Sequence, residues 1–321
     1  MQTILITWWA WFIWSNFLNR YVLQYPDIKR INIDALTYAS NLDNILPAVS
    51  SAPNYCFEKI DIRDKDTLSS IYTRHAPTDV IHFAAESHVD NSISNPSIFF
   101  ETNVIGTNNL LLFHREFALN RFHYISTDEV YGDLPLERQD LKFIEDTPLS
   151  PHSPYSVSKA SGDMLTQAFH RTYWIDVTIS RCSNNYGPRQ HTEKLIPHFI
   201  WQLFHNKKVP LYGDGRNVRD RIHVDDHNEG VWMVFTQAKA WSVYNLGWMN
   251  ELSNKEITYI LLKYLDKDES SIEFVADRLG HDRRYAINCE KIHQELGWFP
   301  KYDFEQGIKS TIDWYIDNFT S

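Results

Sequence analysis

Residues 3–34, TILITWWAWFIWSNFLNRYVLQYPDIKRINID, decide how this chain folds. The apolar run Thr3–Thr7 reads as a short buried strand. Phe12–Tyr25 carries apolar residues at helical spacing and stops at Pro26, which cannot continue a helix. Arg30–Asp34 is a second strand that ends on an acid. Strand, tight loop, helix, strand and acid make the layout of a dinucleotide-binding unit. Asp34 lies twenty residues past Trp14, where the last glycine of a phosphate-loop fingerprint would stand. A carboxylate there binds the adenosine ribose hydroxyls and repels a 2'-phosphate, which favours NAD over NADP. The same position also suits an ordinary solvated strand-end Asp.

The loop departs from that pattern, with Trp8, Trp9, Trp11 and Trp14 where glycines are needed. Glycine there permits positive φ, close backbone approach to a pyrophosphate, and tight packing of the helix on the strand. Indoles at the first positions would fill the phosphate site. At Trp14 the bulk is expected to push the helix off the sheet, an overpacking cost of at least a few kcal/mol. An aromatic core cluster that abandons the cofactor is the alternative for this segment.

Downstream the alternation continues. Strands are expected at Tyr55–Ile62, Asp79–Ala85, Arg121–Ser126 and Val177–Cys182, and helices at Thr67–His75, Pro96–Phe117 and Pro154–Tyr173. This implies an α/β fold, a doubly wound parallel sheet of Rossmann-like type, with functional groups at its carboxyl edge. From about Pro188 the texture becomes turn-rich and basic, which points to a smaller C-terminal α/β domain that holds the substrate. Residues 1–188 and about 219–247 are expected to form the NAD-binding domain, and about 189–218 and 248–321 the second.

The chain has 321 residues, 43% hydrophobic and 22% charged, as for a soluble globular protein, and a net charge of −10 without a strongly basic block. Nucleic acid and anionic membrane surfaces are therefore poor partners. The apolar first fourteen residues lack a basic start and a small-residue cleavage site, and Asn16, Asn19 and Arg20 cut the run too short to span a bilayer. Cys56, Cys182 and Cys289 fit no metal spacing and read as buried reduced thiols of a cytoplasmic protein. His223-Val-Asp-Asp-His227 reads as a strand end, where the two imidazoles lie too far apart to share a metal. No metal is expected.

The chemistry concentrates in two stretches. In Pro154-Tyr-Ser-Val-Ser-Lys159, Tyr155 and Lys159 share a helix face, so the ammonium can favour the phenolate and create a base. Ser126-Thr-Asp-Glu129 adds a hydroxyl, a possible acid and a possible base. Oxidation, proton abstraction and loss of water are within reach of that set.

With these residues in view, the chain resembles the dTDP-glucose 4,6-dehydratase family of the extended short-chain dehydrogenase/reductase superfamily over nearly its whole length. The motifs are Asp34-Ala-Leu-Thr-Tyr38, Ala84-Ala-Glu-Ser-His-Val-Asp90, Thr102-Asn-Val-Ile-Gly106, Ser126-Thr-Asp-Glu-Val-Tyr-Gly132, Tyr155-Ser-Val-Ser-Lys159, Arg181-Cys-Ser-Asn-Asn-Tyr-Gly-Pro188, Lys194-Leu-Ile-Pro197 and Gly280-His-Asp-Arg-Arg-Tyr285. Tyr-x-x-x-Lys alone marks only the superfamily, whereas Thr127-Asp128-Glu129 points to the dehydratase branch. Trp174, Trp241 and Trp248 also stand where this family usually turns on glycine, and Arg221 stands where an aromatic residue is expected.

The resemblance implies NAD held by Phe12, Ile13, Asp34, Ala35, Leu36, Thr37, Asp61, Ile62, Phe83, Ala84, Ala85, Ser87, Thr102, Tyr155, Lys159 and Asn185. It implies a nucleotide sugar held by Ser87, Thr127, Asn184, Lys194, Leu195, Arg219, Asn254, His281, Arg283 and Tyr285, with Pro210, Leu211 and Tyr212 walling the base. Arg219 and Arg283 would grip the diphosphate. In the implied reaction Tyr155, aided by Lys159 and Thr127, takes the C4 hydroxyl proton as hydride leaves for NAD. Glu129 removes the C5 proton, Asp128 protonates the departing C6 hydroxyl, and hydride returns to C6. A homodimer is expected, and a scaffold that had lost its cofactor would dimerise through helices Pro96–Phe117 and Pro154–Tyr173. The alternatives are another nucleotide-sugar dehydratase, a 4-epimerase that has no need of the Asp128–Glu129 pair, or a scaffold of the same fold that has lost its cofactor.

Overall fold

The computed structural model describes residues 2–8, 12–37, 41–277 and 282–320, with the backbone alone at Trp8. Trp9, Trp11 and His281 lie outside the described residues, as does the side chain of Trp8.

Strand β1 (Thr3–Trp8) is a continuous apolar run, and Ile4, Leu5 and Ile6 have no exposed surface. That is the signature of a strand covered on both faces. It is followed by α1 (Phe12–Gln24), β2 (Lys29–Asp34), α2 (Pro47–Ser50), β3 (Tyr55–Lys59), α3 (Lys65–His75) and β4 (Asp79–His82). Next come α4 (Val89–Ser94), α5 (Pro96–Phe100), α6 (Thr107–Glu116), β5 (Arg121–Thr127), α7 (Pro154–Tyr173) and β6 (Asp176–Cys182). The second half holds β7 (Asn184–Tyr186), α8 (Leu195–Phe204), β8 (Val209–Tyr212), β9 (Val218–His223), α9 (Val224–Gln237), β10 (Ser242–Leu246) and β11 (Glu251–Ser253). The chain ends with α10 (Asn254–Tyr264), β12 (Ile272–Val275), β13 (Arg284–Tyr285), α11 (Glu290–Leu296) and α12 (Phe304–Thr320).

The main sheet has seven strands in the order β10-β6-β5-β4-β1-β2-β3, and every neighbouring pair is parallel. The order reverses direction at β1 and β4, so a crevice opens beyond their carboxyl ends. One buried apolar cluster includes Ile4, Ile6, Trp14, Phe17 and Leu18, and a second includes Leu5, Ile31, Val80, Phe122 and Val177. Alternate residues of β1 enter different clusters, as a strand with period two must arrange. Trp14 is not the wedge expected from the sequence. Its indole is fully buried among these residues, and α1 stays seated, with the Asn228 side-chain amide donating to the Ile13 carbonyl at 2.8 Å.

A second sheet joins β11, β9 and β13, with β7 pairing to β9 on the side. Within residues 219–247, β9 belongs to this smaller sheet, while β10 rejoins the large one. A third cluster, which includes Tyr186, Ile200, Leu203, Ile257, Leu261 and Ile312, fills the layer under α8, α10 and α12.

Some local expectations shift. The long helix expected over Pro96–Phe117 is interrupted by a π-helical segment, Glu101–Gly106. Such a segment inserts a residue and turns the helix face after it. Gly106 lies there against the Ile62 side chain, where a Cβ would come within 2.5 Å of Cδ1. His223-Val-Asp-Asp-His227 is not a strand end throughout. His223 closes β9 and caps α9, its ring accepting from the Asp225 N–H at 3.3 Å, and residues 224–227 form the first turn of that helix. Cys182 and Cys289 are buried, but Cys56 on β3 is only half-buried, because β3 is the sheet edge. Trp174 and Trp241 have φ of 59° and 64°, the left-handed region that favours glycine. Trp248 is not in that region; its successor Met249 is, at 57°.

Candidate active site

Helix α7 is built to hold its first turn still. Ser153 and Ser156 form a reciprocal capping box, and Pro154 occupies the first turn, where its missing N–H is not needed. The helix lies close on β5 because residue 162 is glycine: a Cβ there would stand 2.4 Å from the Tyr124 hydroxyl and 3.1 Å from the Asn103 carbonyl. The Tyr124 hydroxyl donates to the Lys159 carbonyl at 3.2 Å, and the buried Arg181–Asp163 pair at 2.9 Å ties α7 to β6. Tyr155 and Lys159 are thereby brought beside the carboxyl ends of β5 and β6.

Thr127 is the last residue of β5. Its hydroxyl accepts from the Glu129 N–H at 3.3 Å and donates to Asp128 Oδ1 at 3.3 Å. This turn is closed by Gly132 at φ 92°. Asp128 is buried to 1% exposure, and burial first, then Glu129 and Asp220, push its carboxyl well above the usual carboxylate range. Burial of that kind favours the protonated carboxyl, the form that can give a proton.

The Tyr155–Lys159 relationship differs from the one expected. The Lys159 ammonium donates to the Ile125 carbonyl at 2.7 Å and lies 4.5 Å from the centre of the Tyr124 ring. Burial lowers Lys159 to about 8. Tyr155 is pushed up, first by burial and then by Glu129, so its phenol is not turned into a ready anion by its helix neighbour. The helix spacing places the two residues on one face, but the direction of the amine is set by β5.

A cavity of about 200 Å³ is lined by Phe12, Ile13, Phe83, Ala85, Ser87, Thr127, Glu129, Tyr155, Lys159, Asn184, Asn185 and Lys194, among others. A second, of about 50 Å³, is lined by Asp34, Ala35, Thr37, Asp61, Ile62, Ala84, Glu86 and Thr102. Asp34 Oδ1 accepts from the Leu36 N–H at 2.6 Å, and Leu36 itself has φ 52°. The two cavities flank the β1–β4 reversal, one at each end of the crevice. Both ends therefore offer what a dinucleotide requires: an acid at the β2 end, and Tyr155 and Lys159 beyond β5. Residues 9–11 are outside the described residues.

A third cavity, of about 460 Å³, continues from the first and shares Ser87, Glu129, Asn184 and Lys194 with it. Its walls include Leu195, Pro210, Leu211, Tyr212, Arg219 and Asn254. Arg283 is not brought into this lining. Its side chain points to Asp214 at 3.3 Å, and its N–H donates to Asp133 Oδ1 at 2.8 Å. Tyr285 lies beneath the wall, its ring centre 4.1 Å from the Arg219 guanidinium and its hydroxyl donating to Asp282 at 2.5 Å.

Sequence reasoning passed over several residues that meet here. Asn103 accepts from the Glu86 N–H at 2.8 Å and donates to the Glu86 carbonyl at 3.0 Å and to Ser158 Oγ at 2.8 Å, so it joins the β4 loop to α7. It stands within the motif Thr102-Asn-Val-Ile-Gly106. His88, Gln190, Glu193, Phe199 and Arg221 also line the large cavity, and only the fold shows it. The only group of metal-type ligands among the described residues, Cys56, Glu58 and His75, stands on β3 and α3, away from these cavities.

The sequence matches the GDP-mannose 4,6 dehydratase family model over residues 5–311. It is 44% identical to dTDP-glucose 4,6-dehydratase 1 of Escherichia coli (strain K12), covering 98% of this chain and 93% of that one. It is 48% identical to the dTDP-glucose 4,6-dehydratase of Streptomyces griseus, covering 90% and 86%. The solved dTDP-glucose 4,6-dehydratase of Streptomyces venezuelae, which has NAD bound, superimposes with a TM-score of 0.94 at 44% identity, covering 99% of this chain and 98% of that chain. The UDP-glucose 4-epimerase of Thermotoga maritima superimposes at 0.89 with 26% identity, covering 99% and 100%.

Proposed function

The chain belongs to the dTDP-glucose 4,6-dehydratase family, and we propose that its own site performs that reaction through the residues just described. The observation that carries the reading is Glu129 in the cavity that also holds Thr127, Tyr155 and Lys159, with Asp128 buried next to it in the chain at the end of β5. A 4-epimerase has no use for that pair of carboxyls.

NAD would be held at the adenosine end by Asp34, Ala35, Leu36, Thr37, Asp61, Ile62, Ala84 and Thr102. At the nicotinamide end Phe12, Ile13, Phe83, Ala85, Ser87, Asn185, Tyr155 and Lys159 would hold it. When bound, it supplies a hydride acceptor at C4 of the sugar and a donor at C6. Lys159, fixed by Ile125, would hold its positive charge at the carboxyl end of β5, over the Tyr124 ring. Tyr155 takes the C4 hydroxyl proton with help from the Thr127 hydroxyl. The resulting 4-keto group acidifies C5, and Glu129 removes that proton. Asp128, its carboxyl raised by burial, gives its proton to the C6 oxygen, water leaves, and a proton is restored at C5 as C6 is reduced. Asn184, Lys194, Leu195, Arg219 and Asn254 bind the nucleotide, with Pro210, Leu211 and Tyr212 beside the base.

Exposed Ile105 and Met164 on the outer face of the π segment and α7 support a homodimer through those helices. No helix among the described residues is long and apolar enough to cross a membrane. A cytoplasmic site for the enzyme accords with that and with the free thiols.

The test starts with NAD content and calorimetric titration on the purified protein, beside a variant carrying Trp8→Gly, Trp9→Gly and Trp11→Gly. Restored affinity in the variant would show that the indoles obstruct the pyrophosphate path. Conversion of dTDP-glucose to the 4-keto-6-deoxy product, abolished by Glu129→Gln with sugar binding retained, supports the mechanism. Normal turnover by Glu129→Gln would refute its role. Folded protein that binds no NAD in either form would be a scaffold without its cofactor.

A further inference from the structure

Strand β9 alternates Arg219-Asp220-Arg221, and its two faces do different work. Asp220 points away from the large cavity and accepts from the Trp248, Met249 and Asn250 N–H groups at 3.0–3.2 Å. Arg219 and Arg221 share the opposite face, both line the large cavity, and both are more than nine-tenths buried.

Arg219 is already committed. It donates to the Val218 and Asp282 carbonyls at 2.8 Å each and lies over the Tyr285 ring. Arg221 donates to Asn254 Oδ1 at 2.8 Å through one terminal nitrogen, while its buried Nε has no partner. Among the described residues neither guanidinium has a carboxylate within ion-pair distance, although Asp220 and Asp128 act on Arg221 from further off. The strand register sets Asn184 opposite Arg221, on the same cavity wall.

Two buried guanidiniums on one wall, one with an unused donor, are unfavourable alone and favourable around a shared anion. A fork of N–H groups matches phosphate oxygens bidentately. We propose that Arg221 is a second diphosphate anchor beside Arg219, making this chain's nucleotide cavity selective for a nucleoside diphosphate moiety over a monophosphate. This rests on the reading of the cavity as the nucleotide-sugar site. The family resemblance places an aromatic residue at this position, which can stack on a ligand but cannot neutralise it. Burial, and next the neighbouring Arg219, lower Arg221 to about 10, which leaves it charged at pH 7.

The experiment is calorimetric titration of the full-length protein with dTDP, dTMP and inorganic pyrophosphate, for wild type and for Arg221→Gln, Arg221→Lys and Arg221→Trp. Folding of each variant is checked by circular dichroism. The expected result is a loss of about tenfold to a hundredfold in dTDP affinity for Arg221→Gln, the span of one charge-assisted hydrogen bond, with little change for dTMP and partial retention in Arg221→Lys. Should the neutral variants not fold, the salt dependence of dTDP binding is compared between wild type and Arg221→Lys. A steeper fall with salt for dTDP than for dTMP in both supports the anchor, and equal slopes overturn it. Unchanged dTDP affinity in Arg221→Gln, or equal losses for dTDP and dTMP, would overturn the inference while leaving the cavity a nucleotide site. Wild type that binds neither dTDP nor pyrophosphate would remove the nucleotide reading itself.

Discussion

The Lys159 ammonium donates a 2.7 Å hydrogen bond to the carbonyl of Ile125. With the Tyr124 hydroxyl's bond to the Lys159 carbonyl, it joins the helix that carries Tyr155 to the strand that ends in Thr127 and so helps to fix the distance between the two halves of the catalytic group. The amine is fully buried at that point, which makes its protonation a property of the fold.

Stability should report on that burial. Lys159 is lowered to about 8 in the folded protein, against roughly 10.4 in an unfolded chain. The unfolded state binds the proton more tightly between those values, so stability rises with pH across that window and the full penalty applies below it. Wild type should gain on Lys159→Met between pH 7 and pH 9.5, by about 2 kcal/mol. Denaturant titrations at the two pH values measure it; a pH-independent difference would contradict the buried amine.

Asp128 should act in the opposite sense. Its folded carboxyl is raised, so the folded state binds the proton more tightly and loses stability as pH climbs above the unfolded value of about 3.9. Asp128→Asn lacks that loss and should become progressively more stable relative to wild type from pH 4 to pH 7. It also lacks the proton for the leaving hydroxyl, and elimination should slow by about 10²–10⁴-fold. Equal turnover, with the cofactor bound in both, would remove Asp128 as the acid.

Gly162 has no room for a methyl group against Tyr124. Gly162→Ala is expected to destabilise by about 1–3 kcal/mol through overpacking, and to lower turnover because α7 moves with Tyr155. Adding Tyr124→Phe removes the clashing oxygen and should recover part of the stability. No recovery would place the strain elsewhere, for example against the Asn103 carbonyl.

Trp174 ends α7 in the left-handed region, and its side chain is 81% exposed. Trp174→Gly relieves a backbone strain of about 1 kcal/mol at little loss of packing, and should raise the melting temperature by about 2 °C. A lower melting temperature would show that its packing against His170 outweighs the strain.

Much of this protein is legible in local pattern. The apolar run of β1, the Pro26 stop after α1, the acid at Asp34 and the serine caps of α7 act on their own chain neighbours. Their positions in the sequence therefore foretell strand, helix and end. The i, i+4 spacing of Tyr155 and Lys159 likewise determines that both leave one helix face. Periodicity alone missed the π-helical segment at Glu101–Gly106, because its extra residue answers to the close contact of Gly106 with Ile62, a residue far away in sequence.

What the sequence by itself determined was the parallel α/β order, the acid at the β2 end and the grouping of Thr127, Asp128, Glu129, Tyr155 and Lys159. What only the tertiary structure decided was how these groups behave. Lys159 turns to Ile125, the Tyr155 phenol and the Asp128 carboxyl are pushed up by burial, Arg283 turns to Asp214, and Arg221 faces the cavity beside Arg219. The physical reason is that propensity and spacing act between chain neighbours. Desolvation, side-chain direction and charge balance depend on residues that become neighbours only when the sheets are assembled.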